Sequence, residues 1–264
     1  MTTQTHIAER PDRDLAAHAG ASLELIRSRC PRIHCLTNTV AQMLTANLLL
    51  AAGASPAMSM ALDEIDYMVA HAGALVVNLG TLDEARRAAM TRAVAVAGRH
   101  HKPWVLDPVM VDRSPVRLAF ARSLVLQRPT VVRGNGGEVA ALAGNGEAGE
   151  LARQAATVVA ETGPVDVVCD AARVVRLRCG HPLMTRVTGL GCAASALVAA
   201  FCAVEGDPLL AAAQALLVLG AAAEMAVGSA AGPASFQTAL LDRLYTLDAR
   251  ALDARAFARR DVTP

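Results

Sequence analysis

Ala74-Leu75-Val76-Val77-Asn78-Leu79 is a run of apolar residues interrupted only by Asn78 near its end, and Gly80-Thr81 follows it. A strand that is apolar on both alternating faces is buried on both, as in parallel sheets covered by helices. Comparable short runs, rich in β-branched residues, return at 104–106, 130–132 and 165–169. Helical stretches, including 84–97 and 116–126, separate the first three. This alternation predicts an α/β fold with a mostly parallel sheet and helices on both faces.

The flanking regions extend the pattern. A helix is expected over 14–29, a strand over 33–36 and a helix over 39–52 that Gly53 stops, with Thr37-Asn38-Thr39 offering capping side chains. Residues 167–169 and 174–177, on either side of Asp170-Ala171-Ala172-Arg173, predict a hairpin at one edge. From Cys192 to about Leu247 the chain reads as helical throughout. No internal repeat or linker divides the 264 residues, so one domain is expected over 1–264, with 1–13 as a loose tail.

Composition narrows the function. Lys and Arg number 25 against 24 Asp and Glu, for a net charge of +1, and no long single-sign run occurs. Generic binding to nucleic acid or to an anionic membrane therefore finds no support. Six cysteines with no Cys-x-x-Cys pair read as reduced thiols in a chain of this size. The polar start lacks the apolar core of a signal peptide, and the apolar stretch 209–223 is short, contains Gln214 and ends at Glu224. A buried helix and a cytoplasmic location are the expectations.

The chemistry gathers where strands end, which is where open α/β sheets bind ligands. Asn78-Leu79-Gly80-Thr81 ends one strand, Asp107-Pro108 the next, and Arg133-Gly134-Asn135-Gly136-Gly137-Glu138 a third. Asp107 with Asn135 and Glu138 could surround a hydrated Mg²⁺, while Arg133 offers a planar fork to nucleotide phosphates. Taken singly, Asp107 and Asn135 also suit capping of the following turns, and Glu138 suits a solvated first helical turn. Later, Thr188-Gly189-Leu190-Gly191-Cys192 runs into an alanine-rich stretch. A glycine turn opening onto a helix presents unpaired N–H groups and the positive dipole end, which suit a phosphate, although many helices start this way without a ligand. Adjacent His100-His101 precede Lys102-Pro103 and read as a solvated loop rather than a metal pair, since neighbours do not share a helix face. Trp104 reads as packed in or beside the sheet.

Several of these segments together resemble hydroxyethylthiazole kinases. They are PRIHCLTN from Pro31, Thr45-Ala46-Asn47, GASPAM from Gly53, AGALVVNLGTL from Ala72, LDPV from Leu106, RGNGGE from Arg133, GHPLM from Gly180, VTGLGC from Val187 and GPASF from Gly232. The matches run in order from about residue 22 to 247. The resemblance implies a ribokinase-like fold and transfer of the γ-phosphoryl group of ATP to the primary alcohol of 4-methyl-5-(2-hydroxyethyl)thiazole, in thiamine salvage. It implies a homotrimer with sites between subunits. It assigns Met58, Asn38 and Gly189 to the substrate, Arg133, Asn135 and Thr162 to the nucleotide, and Asp107 and Glu138 to Mg²⁺. Cys192 takes the place where many ribokinase-like enzymes carry a catalytic Asp, with Gly189 and Gly191 supplying amides to the transferring phosphoryl. A helix start would lower a thiol pKa and nearby phosphates would raise it, so Cys192 is expected to orient the alcohol and to act only weakly as a base.

Four features depart from the family pattern. Met110-Val111-Asp112 replaces small, often glycine-rich residues after Asp107-Pro108-Val109, and Glu161 replaces a neutral residue before Thr162. The segment between Glu138 and Thr162 looks short, and Ala234 stands where glycine is common, which is tolerable if its backbone is not left-handed. His34 and His181 fall inside family-like segments and are expected to make structural hydrogen bonds. A related kinase for a hydroxymethylpyrimidine or pyridoxal-type alcohol, and a catalytically silent nucleotide- or thiazole-binding protein, remain as alternatives.

Overall fold

The computed structural model describes residues 13–258; the tail expected over 1–13 lies outside them except for Arg13. In chain order the elements are α1 (Arg13–Arg29), β1 (Arg32–Leu36), α2 (Gln42–Ala52), β2 (Ser55–Ala57), α3 (Ile65–Ala70), β3 (Ala74–Asn78), α4 (Glu84–Arg99), β4 (Trp104–Asp107), α5 (Pro115–Val125) and β5 (Val131–Asn135). They continue as α6 (Gly136–Leu142), α7 (Ala148–Ala155), β6 (Val158–Thr162), β7 (Asp166–Cys169), β8 (Val174–Leu177), a 3-10 turn (Pro182–Arg186), α8 (Leu190–Cys202), α9 (Pro208–Val227), α10 (Pro233–Thr246) and α11 (Ala249–Ala258).

All eight strands form one sheet in the order β2-β1-β3-β4-β5-β6-β7-β8. β2 through β6 are parallel, and β7 and β8 add an antiparallel edge hairpin. The continuous apolar runs now have their physical reason. On β3, Ala74 and Val76 face one core while Leu75 and Val77 face the other. The first core is built with α1, α2, α8, α9 and α10, the second with α3 to α7. Trp104 is buried in the second. α9 has the length and hydropathy of a membrane span, but most of it is buried inside the protein, against α1, α8 and α10.

Several boundaries move. The helix expected from 39 begins at Gln42, because Asn38 folds 39–41 into a turn: its Oδ1 accepts from Val40 N and Ala41 N, both at 3.1 Å. The strand at 130–132 continues to Asn135, carrying Arg133 along the sheet. β2 and β6 carry no clear sequence signal and are additional strands. β6 lies parallel to β5, between it and the hairpin, and it puts Thr162 at the carboxyl end of the strands, beside Asn135.

Candidate active site

The sheet reverses direction at β1, since the chain goes from β1 outward to β2 and then back across to β3. Ligand crevices of open sheets lie at such switch points, beyond the carboxyl ends of the strands. Along that edge the named residues fall in spatial order. Met58 follows β2, Asn38 follows β1, Asn78 ends β3, Asp107 ends β4, Asn135 ends β5 and Thr162 ends β6. Strand register places Asn78 beside Asp107 and Asn135 beside Thr162.

At the centre of this edge is a buried polar chain. Asn38 Nδ2 donates to Asn78 Oδ1 at 2.9 Å and to the Cys192 sulfur at 3.2 Å. Asn78 Nδ2 donates to Asp107 Oδ2 at 2.6 Å, and Ser195 Oγ, one turn after Cys192, donates to the same oxygen at 2.9 Å. Gly80 N donates to Asn78 Oδ1 at 3.0 Å. Asn38, Asn78, Asp107 and Ser195 are all at most 5% exposed, so each polar group needs an internal partner. Asn38 thereby uses both faces of its amide within the chain. It braces Asn78 and Cys192 while capping the turn before α2.

Burial pushes the Asp107 carboxyl up to about 6, and Glu138 pushes in the same direction, while Arg133, Ser195 and Asn78 oppose them. Glu138 is buried rather than solvated. Its Oε2 accepts from Asn135 N and its Oε1 from Met110 N, both at 2.9 Å, while Asn135 Oδ1 accepts from Glu138 N at 3.0 Å. Asn135 and Glu138 therefore form a capping box on α6.

Across from these acids the start of α8 is uncapped by any side chain, and Gly189 holds φ 82°. A methyl group there would sit 3.1 Å from Ala41. Glycine is thus required twice over, by backbone and by packing. A methyl on Gly191 would lie 2.9 Å from Arg133 Nη1, so the guanidinium rests against the opening turn of α8. Arg133 Nη2 donates to Thr162 Oγ1 at 2.5 Å, and its buried Nε has no partner among the described residues. A permanently charged group with a free buried donor calls for an anion.

Arg133, Asn135, Thr162 and Gly191 share the wall of a cleft of about 570 Å³, which runs on to the apolar Leu190, Leu216 and Leu219. Polar and apolar lining in one cleft suits the phosphates and the base of a nucleotide. Met58 lies at the opposite end of the strand edge, half-buried against the first core.

The thiolate option for Cys192 does not hold. Burial pushes its thiol up to about 11, with Asp107 adding to the shift and the amides of Asn78 and Asn38 opposing it. Desolvation outweighs the helix start, so the group is a neutral thiol at pH 7. His34 is fully buried on β1; among the described residues its ring nitrogens meet no partner at full hydrogen-bond geometry, although the Ser59 backbone and the Glu64 carboxylate oppose the effect of burial. Burial lowers its pKa, which keeps it neutral. His181 does make a structural bond, Nδ1 accepting from Leu183 N at 3.2 Å. His100 and His101 are exposed in the turn after α4.

Each unusual segment now has a position. Met110 holds a left-handed φ of 61°, which explains why small residues and glycine suit this place. A methyl on Gly137 would be 3.6 Å from Asp112 Oδ2, and one on Gly136 would be 3.3 Å from Glu161 Oε1. Both extra carboxylates thus approach the start of α6. Ala234 is helical, so the change from glycine is accommodated. Sequence reasoning placed Asn78 at a strand end without giving it a role and did not single out Ser195; both join the buried polar chain. The available signals were Asn78 interrupting an apolar strand and Ser195 lying one helical turn beyond Cys192.

Residues 23–250 match the sequence profile of the hydroxyethylthiazole kinase family. A probable hydroxyethylthiazole kinase of Agrobacterium fabrum is 47% identical over 229 residues, covering 87% of this chain and 89% of the relative. A hydroxyethylthiazole kinase of Granulibacter bethesdensis is 46% identical over 247 residues, covering 87% and 90%. The solved structure of the hydroxyethylthiazole kinase protein from Pyrococcus horikoshii superposes with a TM-score of 0.87 at 39% identity, covering 89% of this chain and 95% of that one. A ribokinase-like superfamily protein from Enterococcus faecalis, at 12% identity and a TM-score of 0.66, shares the fold.

Proposed function

The chain belongs to the hydroxyethylthiazole kinase family, and on that premise we propose that it transfers the γ-phosphoryl group of ATP to the primary alcohol of 4-methyl-5-(2-hydroxyethyl)thiazole, releasing ADP, as a single-domain kinase of thiamine salvage. One observation carries the reading: on the wall of a nucleotide-sized cleft Arg133 lies against the uncapped start of α8, and it is electrostatically coupled to the buried Asp107, which Glu138 also influences. Phosphoryl transfer needs both signs of charge, one to neutralise the phosphates and the other to hold their cation.

Arg133 and Thr162 bind the phosphate tail, and the apolar lining of the cleft takes the base. Asp107 and Glu138 would hold Mg²⁺, largely through its water shell. The donor set fits: both groups are buried carboxylates, and Asp107 bears a desolvation penalty that a cation would relieve. When bound, the ion screens the charge of the phosphate chain. The amides of Gly189, Gly191 and Cys192 receive charge on the transferring phosphoryl oxygens, while that of Leu190 is bonded to Val187 O at 3.3 Å. Cys192, held by Asn38, orients the alcohol as a neutral thiol. A loose transition state asks mainly for positioning, so no strong base is required.

Met58 and the exposed side of α2 mark the acceptor end. Val40, Met43 and Leu50 form an apolar stripe there, each more than half exposed, with Leu62 and Tyr67 nearby in the chain. A homotrimer that covers this stripe would close the thiazole site between subunits. The free thiols of all six cysteines suit the cytoplasm.

The deciding experiment follows ADP release from Mg²⁺-ATP with and without the thiazole alcohol and takes the product mass, while light scattering gives the assembly. Alcohol-dependent ADP and a product heavier by one phosphoryl group establish the reaction. Turnover with only a pyridoxal- or pyrimidine-type alcohol would replace the substrate, and thiazole binding without ADP would make the protein a sensor.

A further inference from the structure

Both hydrogen bonds that reach the Asp107 side chain, from Asn78 Nδ2 at 2.6 Å and from Ser195 Oγ at 2.9 Å, land on Oδ2. Among the described residues no hydrogen bond reaches Oδ1. The residue is 1% exposed and ends β4, so its carboxylate is locked with one oxygen gripped and the other turned free. We propose that Ser195 is a positioning residue for the phosphoryl-transfer reaction, which holds Asp107 by Oδ2 so that Oδ1 alone is presented to the hydration shell of the nucleotide-bound divalent cation.

The inference rests on the reading of Asp107 as a cation-holding group and adds a device to it. Ser195 lies three residues after Cys192 on the same face of α8, whose first turn carries the phosphate-facing amides. One rigid helix therefore fixes both the anion side and, through Ser195, the cation side of the reacting phosphate. Ser195 is completely buried in a helix whose other buried side chains are apolar. A hydroxyl in such surroundings is costly without a partner, and its partner is Asp107. Asn78 completes the grip, and its own amide is fixed by Asn38 and Gly80. Groups that orient a metal-holding carboxylate in this way typically contribute tenfold or more to metal affinity.

The test is calorimetric binding of the nonhydrolysable nucleotide β,γ-imido-ATP to the full chain, in saturating Mg²⁺ and in EDTA. The ratio of the two affinities is the Mg²⁺ enhancement. S195A places alanine in an alanine-rich helix and is expected to fold. Its enhancement should fall roughly tenfold with the EDTA affinity unchanged, and S195T, which restores the hydroxyl, should recover most of it. D107N should lose the enhancement more fully. If D107N loses it while S195A behaves as wild type, the role of Ser195 is overturned and the cation reading of Asp107 stands. Weaker binding of S195A by the same factor in Mg²⁺ and in EDTA would reduce Ser195 to a packing role. If D107N retains the full enhancement, the reading of Asp107 fails and this inference fails with it.

Discussion

Two helices begin at the ligand edge of the sheet, and they begin in opposite ways. α6 is closed by its own side chains: Asn135 and Glu138 satisfy each other's backbone amides, and the carboxylates of Asp112 and Glu161 crowd the same turn. α8 has no side-chain cap, starts from a left-handed glycine, and has the Arg133 guanidinium lying against it. The same backbone feature, a set of unpaired N–H groups, is spent internally in one case and left for a ligand in the other. The first terminus assembles negative charge suited to a cation, and the second assembles positive charge suited to a phosphoryl group. A glycine-rich start is thus no guide to anion binding until the occupant of its amides is known.

The sharpest way to break this contrast is to alter the open terminus. G191A adds a methyl that Arg133 must move to admit, while helix propensity improves. Turnover should fall by about a hundredfold, the scale of losing one preorganised donor, with thermal stability kept. Near-normal steady-state kinetics would mean that α8 does not receive the phosphoryl charge.

At the closed terminus, charge and capping separate. E138Q keeps an oxygen for one backbone amide but removes the charge and sets its NH2 against the other N–H, so turnover should drop by roughly tenfold and stability by about 1–3 kcal/mol. N135A removes the cap and should cost about 1 kcal/mol, lowering the melting temperature by about 2–4 °C. Loss of stability in E138Q with turnover kept would make Glu138 a capping residue and nothing more.

A smaller effect is expected at Cys192. Its thiol is held up at about 11, so C192A should lower turnover by less than about tenfold, below the usual contribution of a general base. The rate profile between about pH 6 and 9 should keep its shape. Abolished turnover in a folded variant that still binds both substrates would make the thiol a base after all.

The smallest effect concerns Asp166, on the cleft wall. Burial is the main cause that pushes its carboxyl up to about 6, against the opposition of Gly163 N and Arg133. The unfolded chain titrates near 3.9, so the folded state holds the extra proton between these values. Its contribution to stability is present below about pH 4 and is lost as the pH rises through about 6. Melting curves of D166N across that window should show a shallower decline than wild type, and an identical slope would discount the burial effect.

Most strands that the sequence marked are buried on both faces, because burial writes itself as unbroken apolar runs; β7 and β8 are half-buried and were marked by the turn between them. β2 is three residues long with Pro56 in the middle, and as an edge strand it needs no such run. β6 follows α7 through Ala156, which holds a left-handed φ of 49° where a glycine would have signalled the turn. The candidate site was legible as a set of polar residues at strand ends. What stayed hidden was the wiring. Asn38 meets Asn78 across 40 positions and Ser195 meets Asp107 across 88. No local pattern encodes such pairs, which exist only once the strand order is known.

Gly80 carries a consequence of a different kind. The space a side chain would need there is filled by Asn38, whose atoms would lie 2.7–2.8 Å from an added methyl group. Positions 80, 38 and 78 are therefore not independent letters. A relative that bears any side chain at the place of Gly80 must also have moved or replaced the asparagine, and with it the bond to Asn78. Linked changes at these three places would mark the lineages in which the reacting centre has been rebuilt, whatever overall similarity they retain.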